Sequence, residues 1–269
     1  MFYEGTEKRL LICTDTLNLL SFEESFWQQL VEQSGADILS TINNQHLKAY
    51  LLSESSLFIW KDKLLLITCG NTQLVKAALF IQQQFTKSQI STLIFQRHQA
   101  LKPDLQSSSF QQDTLLLEKQ FNGQTRHWRD DYQGDLFVFG EIASQRITTQ
   151  SIYMMHGLRG TLADSLQRET LNKDVILAKL KLTTFFDALT IDHFSFDPKG
   201  YSLNAICGED YLAIHLTPEK LSTYLSIETS FTAIQCTHFI AHLQQTFSPK
   251  QMKEMHFKVT GQQLNISVI

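Results

Sequence analysis

His238 and His242 have the i, i+4 spacing that lets one helix face hold a metal ion, but position 239 is Phe where a metalloprotease helix carries its glutamate base. Two histidines along one surface of an amphipathic helix are the better account of the pair. His215 is different, because it interrupts the apolar run Leu212-Ala213-Ile214-His215-Leu216, where a polar ring must find partners or a use. On spacing alone it reads as a satisfied core histidine. Cys69, at the end of an apolar run and before Gly70, reads more readily as a small buried hydrophobe than as a reactive thiol. The segment Leu52-Ser53-Glu54-Ser55-Ser56-Leu57 sets four polar side chains between apolar neighbours, costly to bury without compensation. Composition by itself makes that segment a turn.

The elements that must position these residues follow from hydrophobic period. Ser21-Phe22-Glu23-Glu24 offers a capping box, with Phe22, Phe26, Leu30 and Val31 behind it on one helical face. Residues 47–60 read as two short apolar strands with a polar seam between them, and 64–69 as a buried strand closed by Gly70. Leu74, Ala77, Ala78, Ile81 and Phe85 then recur at helical spacing, and Thr92 to Phe95 returns as a strand. Residues 110–121 look helical and 122–135 form a polar connection. Strands at 211–216 and 224–227, a helix through Ile234, Phe239, Ile240 and Leu243, and a strand at 257–259 repeat the order of the first half. That repetition suggests an ancient duplication. Strand runs covered by a few helices predict an α+β layered sandwich, and no linker is long enough to divide the 269 residues into independent domains.

Composition bounds the function. At 43% hydrophobic and 11% aromatic residues, with 11 glycines and 4 prolines, the chain has the makings of a real core. With 23 basic against 27 acidic residues, it has no cationic surplus for a phosphate backbone, so nucleic acid is not an expected partner. The first ten residues lack the pattern of a signal peptide, and no apolar run approaches the roughly 20 residues that span a bilayer. No membrane association is expected. Cys13, Cys69, Cys207 and Cys236 lie far apart without a C-x-x-C pair, which signals neither a zinc site nor a disulfide framework. Free thiols in a cytoplasmic protein are expected.

Taken together, five blocks carry a more specific signal. Tyr3-Glu4-Gly5-Thr6-Glu7-Lys8, Leu52-Ser53-Glu54-Ser55-Ser56, Thr68-Cys69-Gly70-Asn71-Thr72, Phe196-Asp197-Pro198-Lys199-Gly200-Tyr201-Ser202 and Ile214-His215-Leu216-Thr217-Pro218-Glu219 occur in this order. In this the sequence resembles the S-adenosylmethionine decarboxylase proenzyme family, the pyruvoyl-dependent eukaryotic type. The resemblance implies a four-layer αββα sandwich of two antiparallel sheets. It also implies self-cleavage of one domain, 1–269, at the Glu54–Ser55 bond into a β-chain 1–54 and an α-chain 55–269. The Ser55 hydroxyl would attack the preceding carbonyl, the peptide would become an ester, and loss of the Ser55 α-proton would release the upstream chain. Ser55 would end as a pyruvoyl group, which forms a Schiff base with the substrate amine and serves as the cofactor in place of pyridoxal phosphate, without a metal.

By the same resemblance His215 is the base that removes the Ser55 α-proton, Ser202 hydrogen-bonds the cyclic intermediate, and Cys69 is the general acid that protonates the substrate carbon after decarboxylation. Tyr3 and Phe196 match aromatic residues that sandwich adenine, Glu219 the carboxylate on the ribose hydroxyls, and Leu52 and Glu54 residues lining the substrate through their backbones. Glu4 and Glu7 match carboxylates near the reaction centre. The implied reaction is decarboxylation of S-adenosylmethionine for spermidine synthesis. A shift to ornithine or arginine, or a regulatory paralogue that never self-cleaves, are the alternatives. Retention of Tyr3, Phe196 and Glu219 argues against the first, and retention of Ser55, Cys69, Ser202 and His215 against the second. Leu11, Thr149 and Tyr153 stand at acidic positions of the putrescine site of animal members and Ile67 at a lysine, with Glu228 alone retained. Too little negative charge remains for a diamine, so putrescine activation is not expected. Monomer and homodimer both occur in the family.

Overall fold

The computed structural model describes residues 7–53, 55–98, 103–127, 134–140, 142, 150–197, 200–218, 223–260 and 263–269. The chain divides into two compact units, Glu4–Arg146 and, apart from residues 1–3, Ile147–Ile269. The first contains β1 (Lys8–Thr14), α1 (Glu24–Ser34), β2 (Ile38–Asn43), β3 (Leu47–Leu52), β4 (Ser55–Trp60), β5 (Lys63–Thr68), α2 (Leu74–Gln84), β6 (Ile90–Arg97), α3 (Phe110–Gln120), β7 (Gln124–His127) and β8 (Asp135–Gly140). The second contains β9 (Gln150–His156), α4 (Thr161–Arg168), α5 (Lys173–Leu180), α6 (Leu182–Phe185), β10 (Thr190–Ser195), β11 (Tyr201–Cys207), β12 (Asp210–Pro218), β13 (Thr223–Thr229), α7 (Ala233–Phe247), β14 (Gln251–Thr260) and β15 (Gln263–Val268).

The first sheet runs β2-β3-β4-β5-β1-β6-β8-β7 and the second β10-β11-β12-β13-β9-β14-β15, each with antiparallel neighbours. In both, a four-strand meander pairs with the unit's own first strand, and the strand after a long helix closes on its other side. β1 therefore corresponds to β9, β4 to β12, and β6 to β14. The duplication expected from the order of elements is a duplication of topology.

Alternation along the strands gives each sheet one face for its helices. Leu10 and Ile12, Leu57 and Ile59, and Leu64 and Leu66 pack with Trp27, Leu30, Ala77, Ala78 and Ile81 in the first unit. Leu212, Ile214, Leu225 and Ile227 pack with Phe239, Ile240 and Leu243 in the second. Ser109 and Gln112 form the capping box of α3, and Thr232 and Gln235 that of α7.

Three local expectations change. The capping box at Ser21 does not form: residues 19–21 make a single 3₁₀ turn, Ser21 donates to the Asn18 carbonyl, and α1 begins at Glu24 without a side-chain cap. Trp27 takes the buried position on that helix, while Phe22 and Phe26 pack at the edge of the core. The polar connection after α3 contains β7, whose short Gln-Thr-Arg-His sequence has no apolar period to announce it.

Candidate active site

In the first unit the polar seam of residues 52–57 is the tight hairpin between β3 and β4. Ser55 opens β4 opposite Leu52 on β3 and Thr68 on β5, and Leu52 is fully buried. Ser53 closes the turn, its backbone N–H donating to the Asp37 carbonyl at 2.9 Å and its Oγ accepting the Asp37 N–H at 2.9 Å. Ser55 is 3% exposed and has a φ of 137°, outside the conformations that residues bearing a Cβ adopt freely. A backbone held there costs on the order of 1–3 kcal/mol and persists only where its neighbours impose it.

Cys69 follows Thr68 directly, one residue beyond the strand partner of Ser55. It is half-buried and free of any disulfide. Its turn is braced from several elements. Gly70 takes a φ of 62°, which a glycine adopts without cost, and its carbonyl accepts the Lys8 ammonium at 2.9 Å and the Gln106 amide at 3.1 Å. Thr72 Oγ1 lies 2.8 Å from the Cys69 carbonyl oxygen and 2.9 Å from Thr68 Oγ1. Asn71 Oδ1 accepts the Ser107 N–H at 2.7 Å. Arg97, paired with Asp113 at 2.8 Å where both side chains are buried, also donates to Gln106 Oε1 at 3.2 Å. Burial pushes the Asp113 carboxyl up, opposed by its bond to Ser108 and by the Arg97 guanidinium. Glu7 is 9% exposed just before β1, and its carbonyl accepts the His98 N–H at 3.1 Å.

In the second unit, the β11–β12 register sets Ser202 directly opposite His215, and Ser202 Oγ lies 2.9 Å from His215 Nδ1. The next two strands continue the row through Ser226 and Met154, and β14 ends it at Lys253. His215 is 6% exposed, and burial lowers its pKa to about 4. At neutral pH the ring is therefore uncharged and has a lone pair to offer as a base. On the other side of Ser202 stands Phe194, whose ring meets that of Phe196 edge-on at 5.0 Å between centroids. Phe196 is half-buried in the β10–β11 turn, its N–H donating to the Gly200 carbonyl at 2.9 Å.

Thus Leu52, Ser55 and Cys69 gather at one end of β3–β5, and Phe196, Ser202 and His215 along β10–β12. Tyr3, Glu4, Glu54 and Glu219 lie outside the described residues, as does Thr149. Sequence reasoning left Lys8, Gln106 and Ser226 without a role. A lysine heading the apolar strand Lys-Arg-Leu-Leu-Ile-Cys was a signal available for the first, whereas Gln106 reaches Gly70 across 36 positions and left none.

Two other histidine arrangements prove structural. His238 is exposed and His242 bonds the Lys179 carbonyl at 2.9 Å, as two histidines along a helix surface should. Ser151, His256 and Glu254 resemble a hydrolytic triad, with His256 2.8 Å from Ser151 Oγ and 2.7 Å from Glu254. Ser151 is 1% exposed, too enclosed to meet a substrate. Among the described residues no cluster of three or more His, Cys, Asp or Glu side chains could hold a metal ion, and no helix is long and apolar enough to cross a membrane.

Two antiparallel sheets built from a repeated meander, each backed by helices, with a strained serine in one and a buried serine–histidine pair in the other, define a duplicated α+β protein. The same fold occurs in the solved Trypanosoma brucei AdoMetDC-delta26 monomer, with a TM-score of 0.58, 22% identity and coverage of 75% of this chain and 79% of that one. The model of the adenosylmethionine decarboxylase family matches residues 1–267, and the chain belongs to that family. Relatives include the S-adenosylmethionine decarboxylase proenzymes of Dictyostelium discoideum, 27% identical over 91% of this chain and 68% of the relative, and of Trypanosoma brucei brucei, 27% identical over 95% and 75%.

Proposed function

We propose that this protein decarboxylates S-adenosylmethionine, releasing carbon dioxide and giving the aminopropyl donor of polyamine synthesis, after converting Ser55 of its own chain into a pyruvoyl group. The observation that carries this reading is the serine–histidine pair: His215 is kept uncharged by burial and locked to Ser202 on the adjacent strand. Membership of a proenzyme family gives that pair a substrate in the chain itself.

The residues present suit a group made from Ser55. The serine begins a strand, is almost fully buried, and has a backbone conformation that scission of the preceding peptide would relax. Its hydroxyl attacks the Glu54 carbonyl, turning the amide into an ester, and Ser202 donates to the oxygen that becomes negative. His215 then takes the Ser55 α-proton, and chain 1–54 leaves as a carboxylate. The dehydroalanine left at position 55 then takes up water and loses ammonia, so that the α-chain 55–269 would begin with a ketone able to bind the substrate amine and to act as a sink for the electron pair left when carbon dioxide departs. Cys69 supplies a proton to the substrate carbon, from a turn that Lys8, Gln106 and Thr72 hold in place. Phe196 offers a ring face for adenine, with Tyr3 as the second aromatic of the sandwich and Glu219 as the ribose carboxylate, while Glu4 and Glu7 are carboxylates near the reaction centre. Leu52 and Glu54 line the substrate through their backbones.

After the cut β1, β2 and β3 belong to one chain and β4, β5 and β6 to the other, yet β1 stays paired between β5 and β6. The two chains stay associated through the first sheet, in the cytoplasm. Putrescine is not an activator in this reading: Leu11 and Ile67 are buried apolar residues, and the retained carboxylate Glu228 is bonded by the Tyr211 hydroxyl at 2.8 Å. The deciding experiment measures carbon dioxide release from carboxyl-labelled S-adenosylmethionine, ornithine and arginine without added pyridoxal phosphate, with and without putrescine. Release from S-adenosylmethionine alone, unchanged by putrescine, supports the proposal. Release only from an amino acid replaces the substrate, and an uncut, silent chain replaces the enzyme with a regulatory subunit.

A further inference from the structure

The second unit has a cavity of about 470 Å³ where β9 ends and β14 begins, and among the described residues its charged lining is cationic. Arg159 and Lys250 border it together with His156, Gln167 and Gln251, and no carboxylate is among the described residues that line it. In a chain of net charge −4, two such cations sharing one recess stand against the average. Among the described residues neither side chain has an ion-pair or hydrogen-bond partner.

Their backbones are fixed all the same. The Arg159 N–H donates to the Phe247 carbonyl at 2.7 Å, and the Lys250 N–H reaches the His156 and Gly157 carbonyls at 2.9 and 3.2 Å. Gly157 sits at a φ of 63°, and a Cβ there would stand 2.9–3.0 Å from the Lys250 side-chain carbons. The lysine stem thus lies across the glycine, which only a residue without a side chain permits. The His156 ring packs on Tyr224 at 4.7 Å between centroids, and Gln167 is held by the Thr223 hydroxyl at 3.1 Å. The walls beside the two cations are therefore ordered and neutral.

We propose that this cavity is a binding site for a phosphoryl oxyanion, carried by free phosphate or by a small phosphate ester. Guanidinium matches two oxygens of such a group in a planar fork, ammonium adds a point charge from a second element, and the amides supply neutral donors. The volume exceeds what a bare ion needs and falls in the range of small-molecule sites. Neither cation belongs to the machinery assigned to decarboxylation.

The test is isothermal titration of the purified, processed protein with inorganic phosphate, with glycerol 3-phosphate, and with chloride at matched ionic strength, repeated on Arg159→Gln, Lys250→Gln and the double variant. Both side chains are exposed, so the variants should fold, and circular dichroism checks this. Saturable binding of phosphate or the ester should weaken by roughly tenfold in each single variant, the order expected for one charge-assisted hydrogen bond, and vanish in the double. Preference for the ester would identify a phosphorylated metabolite, and equal binding the free ion. Binding no stronger than that of chloride, or undiminished in the double variant, overturns the proposal.

Discussion

The two sheets share a strand order but differ in what they bury on the face away from their helices. In the first, Ala49, Phe58, Leu65, Leu11 and Ile94 follow one another across five strands, all apolar and buried. In the second, a comparable row reads Ser202, His215, Ser226, Met154 and Lys253, and a neighbouring one carries Asn204 and Glu228. Burying such a row costs free energy that an apolar row would not, so folding alone gives no reason to keep it. Along these rows the same topology buries apolar side chains in the first unit and a polar series in the second, while two positions along the strands the first sheet also buries Ser56, Arg9 and Gln96.

Substitution should separate the two roles. Replacing His215 by Ala should slow self-cleavage by ~10²–10⁴-fold, the range for a lost general base, while the variant folds as well as the parent. The chain should stall as the Ser55 ester, and hydroxylamine should cut it there. Resistance to hydroxylamine would remove His215 from the base role, and loss of folding would make the polar row structural after all. Phe58→Ala should do the opposite, costing about 3–5 kcal/mol of stability by leaving a cavity while any folded fraction still cleaves itself. Urea unfolding measures the first effect and gel analysis of the two fragments the second.

Acid should attack the two sheets unequally. His156 and His215 both have pKa values lowered to about 4 by burial, with Lys253 adding to the effect at His156. In the unfolded chain each returns to the ordinary value near 6.5, so between those limits the unfolded state binds protons that the folded state refuses. Stability is fully present above about 6.5 and is lost as pH falls toward about 4, by up to about 3 kcal/mol for each histidine. Hydrogen exchange should therefore accelerate in β9 and β11–β13 before it does in β3–β6. Simultaneous loss in both sheets would show that carboxylates, rather than these rings, govern acid unfolding. His215→Ala should remove its share of the pH dependence.

Much of this contrast was legible in the amino-acid sequence, but unevenly. Apolar period located β5, α2, α3 and α7, and the order of elements revealed the duplication, because burial of one face imposes a period that residues record locally. His215 within an apolar run was visible as an anomaly, though only the strand register showed that Ser202 answers it. The seam at 52–57 looked like any polar turn; that Ser55 opens a strand with a left-handed φ depends on pairing with β3 and β5, which no local pattern carries. The braces on the Cys69 turn were invisible for the same reason.

Those braces set the finest difference between the units. The first unit holds its proposed acid on a turn by bonds from distant elements, whereas the second holds its proposed base on a regular strand by register. Gln106 tests the turn, since it is one of two donors to the Gly70 carbonyl among the described residues and has no assigned role at a reacting atom. Gln106→Ala should cost about 1 kcal/mol, the net worth of one such bond, because Lys8 still satisfies the carbonyl. A lowered melting temperature alone would not distinguish bracing from packing. Alkylation would, if measured by peptide mapping after iodoacetamide treatment of a Ser55→Ala background in which no processing intervenes. Cys69 should react faster in the Gln106 variant while half-buried Cys207, in the other unit, keeps its rate. Unchanged reactivity at Cys69 would mean that Lys8 and Thr72 suffice, and that the long loop from β6 to α3 stabilises the unit without positioning its thiol.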